Sequence, residues 1–74
     1  METKIRLNPK DVEHFVAVTS RCDFDIDIAY NRFTIDAKSF LGVYGLDFSQ
    51  ELTVRYSGYN AELEALLKTL AIAC

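Results

Sequence analysis

The residue types that most often perform chemistry are few in this chain and far apart in sequence. It has one histidine, His14, and two cysteines, Cys22 and Cys74. A structural zinc site needs closely spaced Cys and His ligands, and nucleophilic catalysis needs a nucleophile beside a base. The three glycines form no phosphate-cradling loop. We therefore expect no enzyme active site, no metal and no cofactor. The cysteines could pair in principle, but we expect two free thiols in a reducing cytosol.

Three acidic residues, Asp23, Asp25 and Asp27, suggest a cation site at first sight. Alternate residues on a strand lie about 7 Å apart, which is too far for one ion. The segment also lacks the glycine turn and terminal glutamate of a calcium loop. The alternation instead predicts the water-facing side of a strand. The core-facing side of that strand would carry Phe24, Ile26, Ile28 and Tyr30.

Hydrophobic periodicity predicts a small α+β domain. Alternation predicts strands near residues 3–7, 23–30, 32–37 and 51–56. Helical spacing, with Asn8, Ser39 and Asn60 as N-caps, predicts helices near 9–21, 39–45 and 60–72. We expect Phe33, Ile35 and Ala37 to share the core-facing side of the third strand, after a turn at Asn31. The order β-α-β-β-α-β-α predicts a two-layer open-faced sandwich, in which three helices cover one face of a four-stranded antiparallel sheet. The other face should be polar, with Lys4, Arg6, the three aspartates, Arg32, Thr34, Asp36 and Arg55.

Size and charge restrict the class of protein. A chain of 74 residues has room for one domain, here residues 1–74. Eight basic residues are scattered among eleven acids, for a net charge of −3. Nucleic acid binding needs a basic patch, so we do not expect it. No apolar run approaches the about 18 residues of a membrane span, and the first residues lack the apolar stretch of a secretory signal. We expect a cytoplasmic protein that does not bind membranes.

One segment carries a family resemblance. Lys38-Ser39-Phe40-Leu41-Gly42 resembles the regulatory-serine segment of HPr, the phosphocarrier of the bacterial sugar phosphotransferase system, in which a Lys-Ser pair opens a short helix. The resemblance extends back without a gap to Ser20. With a short deletion before Glu51, it also extends forward through the last strand and helix. It implies the HPr-like fold and, at Ser39, a regulatory phosphorylation site.

The chain departs from HPr at the start of the first helix. In HPr, a histidine there accepts phosphate and is followed two places later by arginine and then by proline. Those positions here hold Asn8, Lys10 and Asp11. An amide nitrogen is not nucleophilic, so the phosphocarrier reaction is not expected. Family members without this histidine include the catabolite-repression variant Crh, which this chain resembles in keeping the serine and losing the shuttle. His14 lies half a turn from the apolar helix face and should be a solvated surface residue.

The short second helix is the expected docking surface. It is too short to bury all of its apolar residues, so we expect Phe40, Leu41 and Tyr44 to contact partners together with Lys10 and Lys38. The resemblance implies protein partners such as an HPr-type kinase or a transcriptional regulator, in carbon catabolite regulation. Two alternatives stay open: a phosphocarrier with an atypical acceptor, and a structural or dimerising module without phosphate chemistry. The oligomeric state does not follow from the sequence.

Overall fold

A computed structural model describes residues 1–72, and the predicted order of elements is confirmed. Cys74, predicted to be a free thiol, lies outside the described residues. The first helix opens with a 3-10 turn at Pro9–Asp11. The elements are β1 (Glu2–Ile5), α1 (Val12–Ser20), β2 (Ile26–Tyr30), β3 (Phe33–Asp36), α2 (Phe40–Tyr44), β4 (Leu52–Tyr56) and α3 (Ala61–Leu70).

The four strands form one antiparallel sheet in the order β1-β4-β2-β3. In the centre of the sheet, Ile28 lies opposite Val54 on one side and Ile35 on the other. The residues that were predicted to form the polar face are all exposed. The α+β sandwich is therefore confirmed.

The core lies between the sheet and the helices. Phe15 of α1, Val43 of α2 and Leu63 of α3 are fully buried, as are Ile28 and Val54 of the central strands. A chain of this size buries only about 60% of its unfolded surface, so each helix must contribute apolar side chains to this layer.

The two edges of the sheet differ. The outer edge of β1 is covered by the chain that follows α3. Arg6 N donates to Leu70 O and Ile72 N donates to Lys4 O, both at 3.1 Å. This pairing ends α3 at Leu70, two residues before its predicted end. The strand at the opposite edge is β3.

Two details of the predicted β2–β3 hairpin differ in the structure. Strand β2 begins at Ile26 and not at Asp23, because the chain bends so that the Phe24 ring stacks on Tyr56 at 6.0 Å between centroids. Phe33 was expected in the core but is 55% exposed, because it lies at the hairpin end of an edge strand. The predicted turn at Asn31 is confirmed. Asn31 has a φ of 53°, a conformation that asparagine tolerates better than most residues.

Candidate functional site

Asn8 occupies the start of the first helix, where the resemblance places the phospho-accepting histidine. Its backbone is extended, and its N–H donates to Asp11 Oδ2 at 3.1 Å. Asp11 N donates in turn to Asn8 O at 2.9 Å, which closes the 3-10 turn. Asn8 and Lys10 are exposed. An uncharged amide therefore stands at the helix start, with an ammonium group two residues away and a carboxylate bonded to the turn.

Helix α2 has a buried side and an exposed side. Ser39 is its N-cap, and the Ser39 Oγ accepts a hydrogen bond from Gly42 N at 3.1 Å. Val43 is fully buried, whereas Phe40, Leu41 and Tyr44 are 45%, 83% and 54% exposed. We call these three exposed side chains the apolar patch. The rings of Phe40 and Tyr44 lie 5.8 Å apart, so part of the patch is an aromatic pair. The sequence predicted this exposure correctly.

The loop that precedes α2 is fastened to the end of α1. Thr19 is fully buried, and its hydroxyl donates to Ala37 O at 2.8 Å and to Val16 O at 3.1 Å. Lys38 Nζ donates to Cys22 O at 2.9 Å. Lys38 was expected to contact partners, but in this structure its ammonium group binds its own chain. These two contacts fix the position of Ser39 relative to α1.

Gly42 allows α2 to pack closely on the sheet. A Cβ atom at this position would lie 2.9 Å from Ile35 Cγ2 and 3.1 Å from Ser39 Oγ. Both distances are shorter than ordinary van der Waals contacts, so a side chain would push α2 away from β3 or disturb the cap. The glycine of the Lys-Ser segment therefore has a packing role in this chain.

The turn after α2 lies beside the chain that leads to Asn8. Arg6 Nη1 donates to Ser49 O at 3.1 Å, which ties this turn to the segment between β1 and the first helix. Hydrogen bonds from the Ser49 side chain and backbone lower the pKa of Asp47, which keeps the turn negatively charged. The structure thus brings the turn after α2 close to Arg6. Lys10, by contrast, makes no ion pair within residues 1–72.

The imidazole of His14 and the thiol of Cys22 differ in exposure. His14 is exposed, as predicted, beside a shallow groove between α1 and α3 that Asp11 and Glu62 also line. Burial raises the pKa of the Cys22 thiol, so it stays protonated at neutral pH. Within residues 1–72, no cluster of three or more His, Cys, Asp or Glu side chains is placed to hold a metal ion.

Sequence reasoning missed several contacts that hold the helices. Arg21 forms a bidentate ion pair with Glu62, in which Nε donates to Oε1 at 2.9 Å and Nη2 donates to Oε2 at 2.7 Å. These hydrogen bonds lower the pKa of Glu62. Tyr56 OH donates to Glu64 Oε2 at 2.6 Å. These partners are separated by 41 and 8 residues, and the periodicity gave no signal for either pair.

Comparison with known proteins supports the fold. No family model matches this sequence, and a search of curated proteins finds no relative. The structure is similar to that of Crh from Bacillus subtilis, with a TM-score of 0.65 over 95% of this chain and 88% of Crh. The fold is HPr-like. The two sequences are 21% identical, a level at which the likeness establishes the shared fold alone. Crh is described as a catabolite repression protein, and its crystal structure revealed a swapping domain in an intertwined dimer.

None of the helices within residues 1–72 combines the length and apolar character needed to cross a bilayer.

Proposed function

We propose that this chain is a cytoplasmic regulatory module related to the bacterial sugar phosphotransferase system, which binds proteins through the apolar patch on α2. The observation that carries the proposal is the division of α2. Val43 is fully buried in the core, whereas Phe40, Leu41 and Tyr44 are exposed. Exposed clusters of large apolar side chains are typical of docking surfaces on small proteins. The fold shared with Crh is consistent with this role.

The basic residues predicted to assist binding differ in availability. Lys10 is exposed and makes no ion pair within residues 1–72, so it is available to a carboxylate of a partner. Lys38 is half-buried, and its ammonium group binds the Cys22 carbonyl. We propose that Lys10 contacts partners directly. Lys38 would contribute only if a partner displaced that internal hydrogen bond.

Ser39 is the proposed site of regulation by phosphorylation. Its hydroxyl is half-buried at the start of α2 and already accepts a hydrogen bond from Gly42 N. A phosphate would add negative charge directly before Phe40 while retaining oxygen acceptors for that N–H. The expected partners are an HPr-type kinase, which would modify Ser39, and a transcriptional regulator, which would recognise the modified surface.

Binding through the apolar patch can be tested with three aspartate variants. Leu41→Asp places the charge on an 83% exposed residue, so it should melt like the wild type and lose partner binding. Tyr59→Asp is the surface control, since Tyr59 is 75% exposed outside the patch and should keep binding. Val43→Asp is the core control and should not fold, because a buried unpaired charge is not tolerated. Thermal melting and affinity capture of partners are the measurements. Unfolding of Leu41→Asp would remove the main support for the proposal, and unchanged capture would favour the purely structural module.

The phosphate chemistry is tested by incubation with an HPr kinase and, separately, with the upstream phosphotransferase. We expect acid-stable phosphate on Ser39 from the kinase, absent in Ser39→Ala, and no phosphohistidine from the phosphotransferase. Mass spectrometry locates the phosphate. Ser39→Asp should keep the melting temperature, because aspartate also caps helices, and should change partner binding. Phosphohistidine on the exposed His14 would instead establish the phosphocarrier with an atypical acceptor.

Restoring histidine at position 8 should not restore efficient transfer. In Asn8→His, Lys10 would supply a point charge where arginine supplies a planar fork for phosphate oxygens. The carboxylate of Asp11, which binds the Asn8 backbone N–H at 3.1 Å, would repel the incoming phosphoryl group. We expect slow transfer from the upstream phosphotransferase to Asn8→His, measured as acid-labile phosphate. Adding Lys10→Arg should increase it, and equal rates in the two variants would show that the lysine is not limiting.

A further inference from the structure

The outer edge of β3 carries backbone groups that are free to pair. Directly after β3, Ala37 N donates to Ile26 O at 2.8 Å, which shows that the residue pair Ala37–Ile26 is one at which the two segments are hydrogen-bonded. Pairs alternate along an antiparallel ladder, so Ile35 also bonds to β2 whereas Thr34 and Asp36 direct their backbone groups outwards. Asp36 O already accepts from Ser39 N at 3.1 Å. Within residues 1–72, the N–H and C=O of Thr34 and the N–H of Asp36 have no backbone partner.

The side chains along this edge are complementary to those of an identical strand that runs antiparallel to it. Phe33 and Ile35 lie on the same face of β3, and Phe33 is 55% exposed. Arg32, in the turn directly before the strand, and Asp36, at its end, are exposed and of opposite charge. Neither residue makes an ion pair within the described part of the chain.

We infer that a second copy of this chain binds at this edge, with the two β3 strands antiparallel about a two-fold axis at Thr34. Each Thr34 then lies opposite the Thr34 of the second copy, and Phe33 lies opposite Ile35. Arg32 of each copy lies opposite Asp36 of the other, so both charged pairs attract. The two Thr34 residues exchange two hydrogen bonds, and each Asp36 N–H reaches the Arg32 carbonyl of the other copy. The result is a continuous eight-stranded sheet in which each chain stays folded on itself.

Neighbouring registers are less favourable. A shift of two residues towards the end of β3 places Arg32 opposite Lys38, a pair of like charges. A shift of two residues in the other direction places Thr34 opposite Arg32 and pushes Ile35 against the turn residue Asn31. Both shifts lose the two Arg32–Asp36 pairs. The charges that would otherwise protect an edge strand from pairing thus select one register with a second copy.

The contact is small. One strand of four residues and the Phe33 ring cover much less than the about 800 Å² per partner of a standard stable interface. We therefore expect a weak, concentration-dependent dimer. This inference does not depend on the proposed function, because it concerns the sheet edge and not the apolar patch.

Charge reversal with complementation tests the register. Sedimentation of the intact chain at low salt, from micromolar to millimolar concentration, should show a monomer–dimer equilibrium. Arg32→Asp alone and Asp36→Arg alone place like charges opposite each other twice, so each should raise the dissociation constant about tenfold or more. An equimolar mixture of the two variants restores both attractive pairs and should dimerise as well as the wild type. Lys4→Asp reverses a charge on β1, whose edge residues 70–72 cover, and should have no effect.

A backbone variant gives an independent test. Thr34→Pro removes the outward N–H and leaves the hydrogen bonds to β2 in place, so it should abolish the dimer while the fold persists. Circular dichroism verifies folding of each variant. Asp36→Arg also removes the 2.9 Å hydrogen bond from Lys38 N to Asp36 Oδ1. If this variant fails to fold, Arg32→Asp and Thr34→Pro still test whether the dimer forms through β3. A monomer at millimolar concentration would overturn the inference, as would a dimer that neither of these two variants weakens.

Discussion

The hydroxyl of Thr19 should contribute more to the free energy of unfolding than the hydroxyl of any surface threonine. Thr19 is fully buried on α1, and its Oγ1 lies 2.8 Å from Ala37 O, in the loop that positions Ser39 and α2. Ala37 is itself fully buried. Thr19→Val keeps the shape of the side chain and removes the donor. The Ala37 carbonyl would then be left without this partner, away from water.

The expected cost follows from that geometry. Leaving a buried carbonyl unsatisfied costs about 1–3 kcal/mol. For a domain of this length, each kcal/mol lowers the melting temperature by about 4–8 °C. Thr19→Val should therefore melt about 4–24 °C below the wild type. Thr69→Val is the matched control, because Thr69 also donates to a carbonyl three residues earlier, Leu66 O at 2.7 Å, but is exposed. Its effect should stay within about 0.5 kcal/mol.

Calorimetry on these two variants and on Thr19→Ser decides the matter. Serine keeps the hydroxyl and loses only a methyl group, so it should be less destabilising than valine if the bond to Ala37 dominates. If Thr19→Ser is the more damaging change, the site depends on packing and the hydrogen-bond argument is wrong. Amide exchange adds a local readout, since Gly42 and Val43 should lose protection in Thr19→Val before the sheet does.

Two further predictions concern packing and pH. Gly58→Ala should destabilise the fold by about 1–3 kcal/mol in chemical denaturation, because its Cβ would lie 2.5 Å from Phe24 Cδ1. Gly45→Ala should be neutral or slightly stabilising, since the nearest atom to its Cβ would be 3.4 Å away and the backbone φ is −84°; similar losses in both variants would refute the contact argument. Burial, and then the hydrogen bond to Glu64, raise the pKa of Tyr56 from 10.0 to about 12. The neutral phenol therefore stabilises the fold below about pH 10, and the unfolding free energy should fall between about pH 10 and 12, with a smaller fall in Tyr56→Phe.

Much of the fold was predictable because its signals are local. Alternation located β4 correctly at Leu52, Val54 and Tyr56, which are all buried. The caps Ser39 and Asn60 were also predicted correctly, and their side chains accept from the N–H three residues on, at 3.1 and 2.9 Å. These signals depend only on neighbours in sequence.

The errors arose where distant parts of the chain meet. Phe33 has the periodicity of a core residue, but its exposure depends on β3 being an edge strand, which only the strand order reveals. The hydrogen bond from Lys38 Nζ to Cys22 O, 16 residues earlier in the chain, was not predicted for the same reason. The exposure of Phe40, Leu41 and Tyr44 was therefore predictable from the sequence, whereas the contacts between distant residues were not.

The construction of α2 supports the interpretation of its exposed face as a binding surface. A helix of five residues is not stable by itself, so its conformation depends on contacts with the rest of the domain. Those contacts come from one side only: the close approach of Gly42 to Ile35, the burial of Val43, and the loop bonds of Thr19 and Lys38. On the opposite side, Phe40 and Tyr44 are about half exposed and Leu41 is 83% exposed, so Leu41 adds little burial to this small domain. A polar residue in place of Leu41 would leave every one of these contacts intact, so stability does not explain an apolar side chain at this position. We propose that recognition by another protein does.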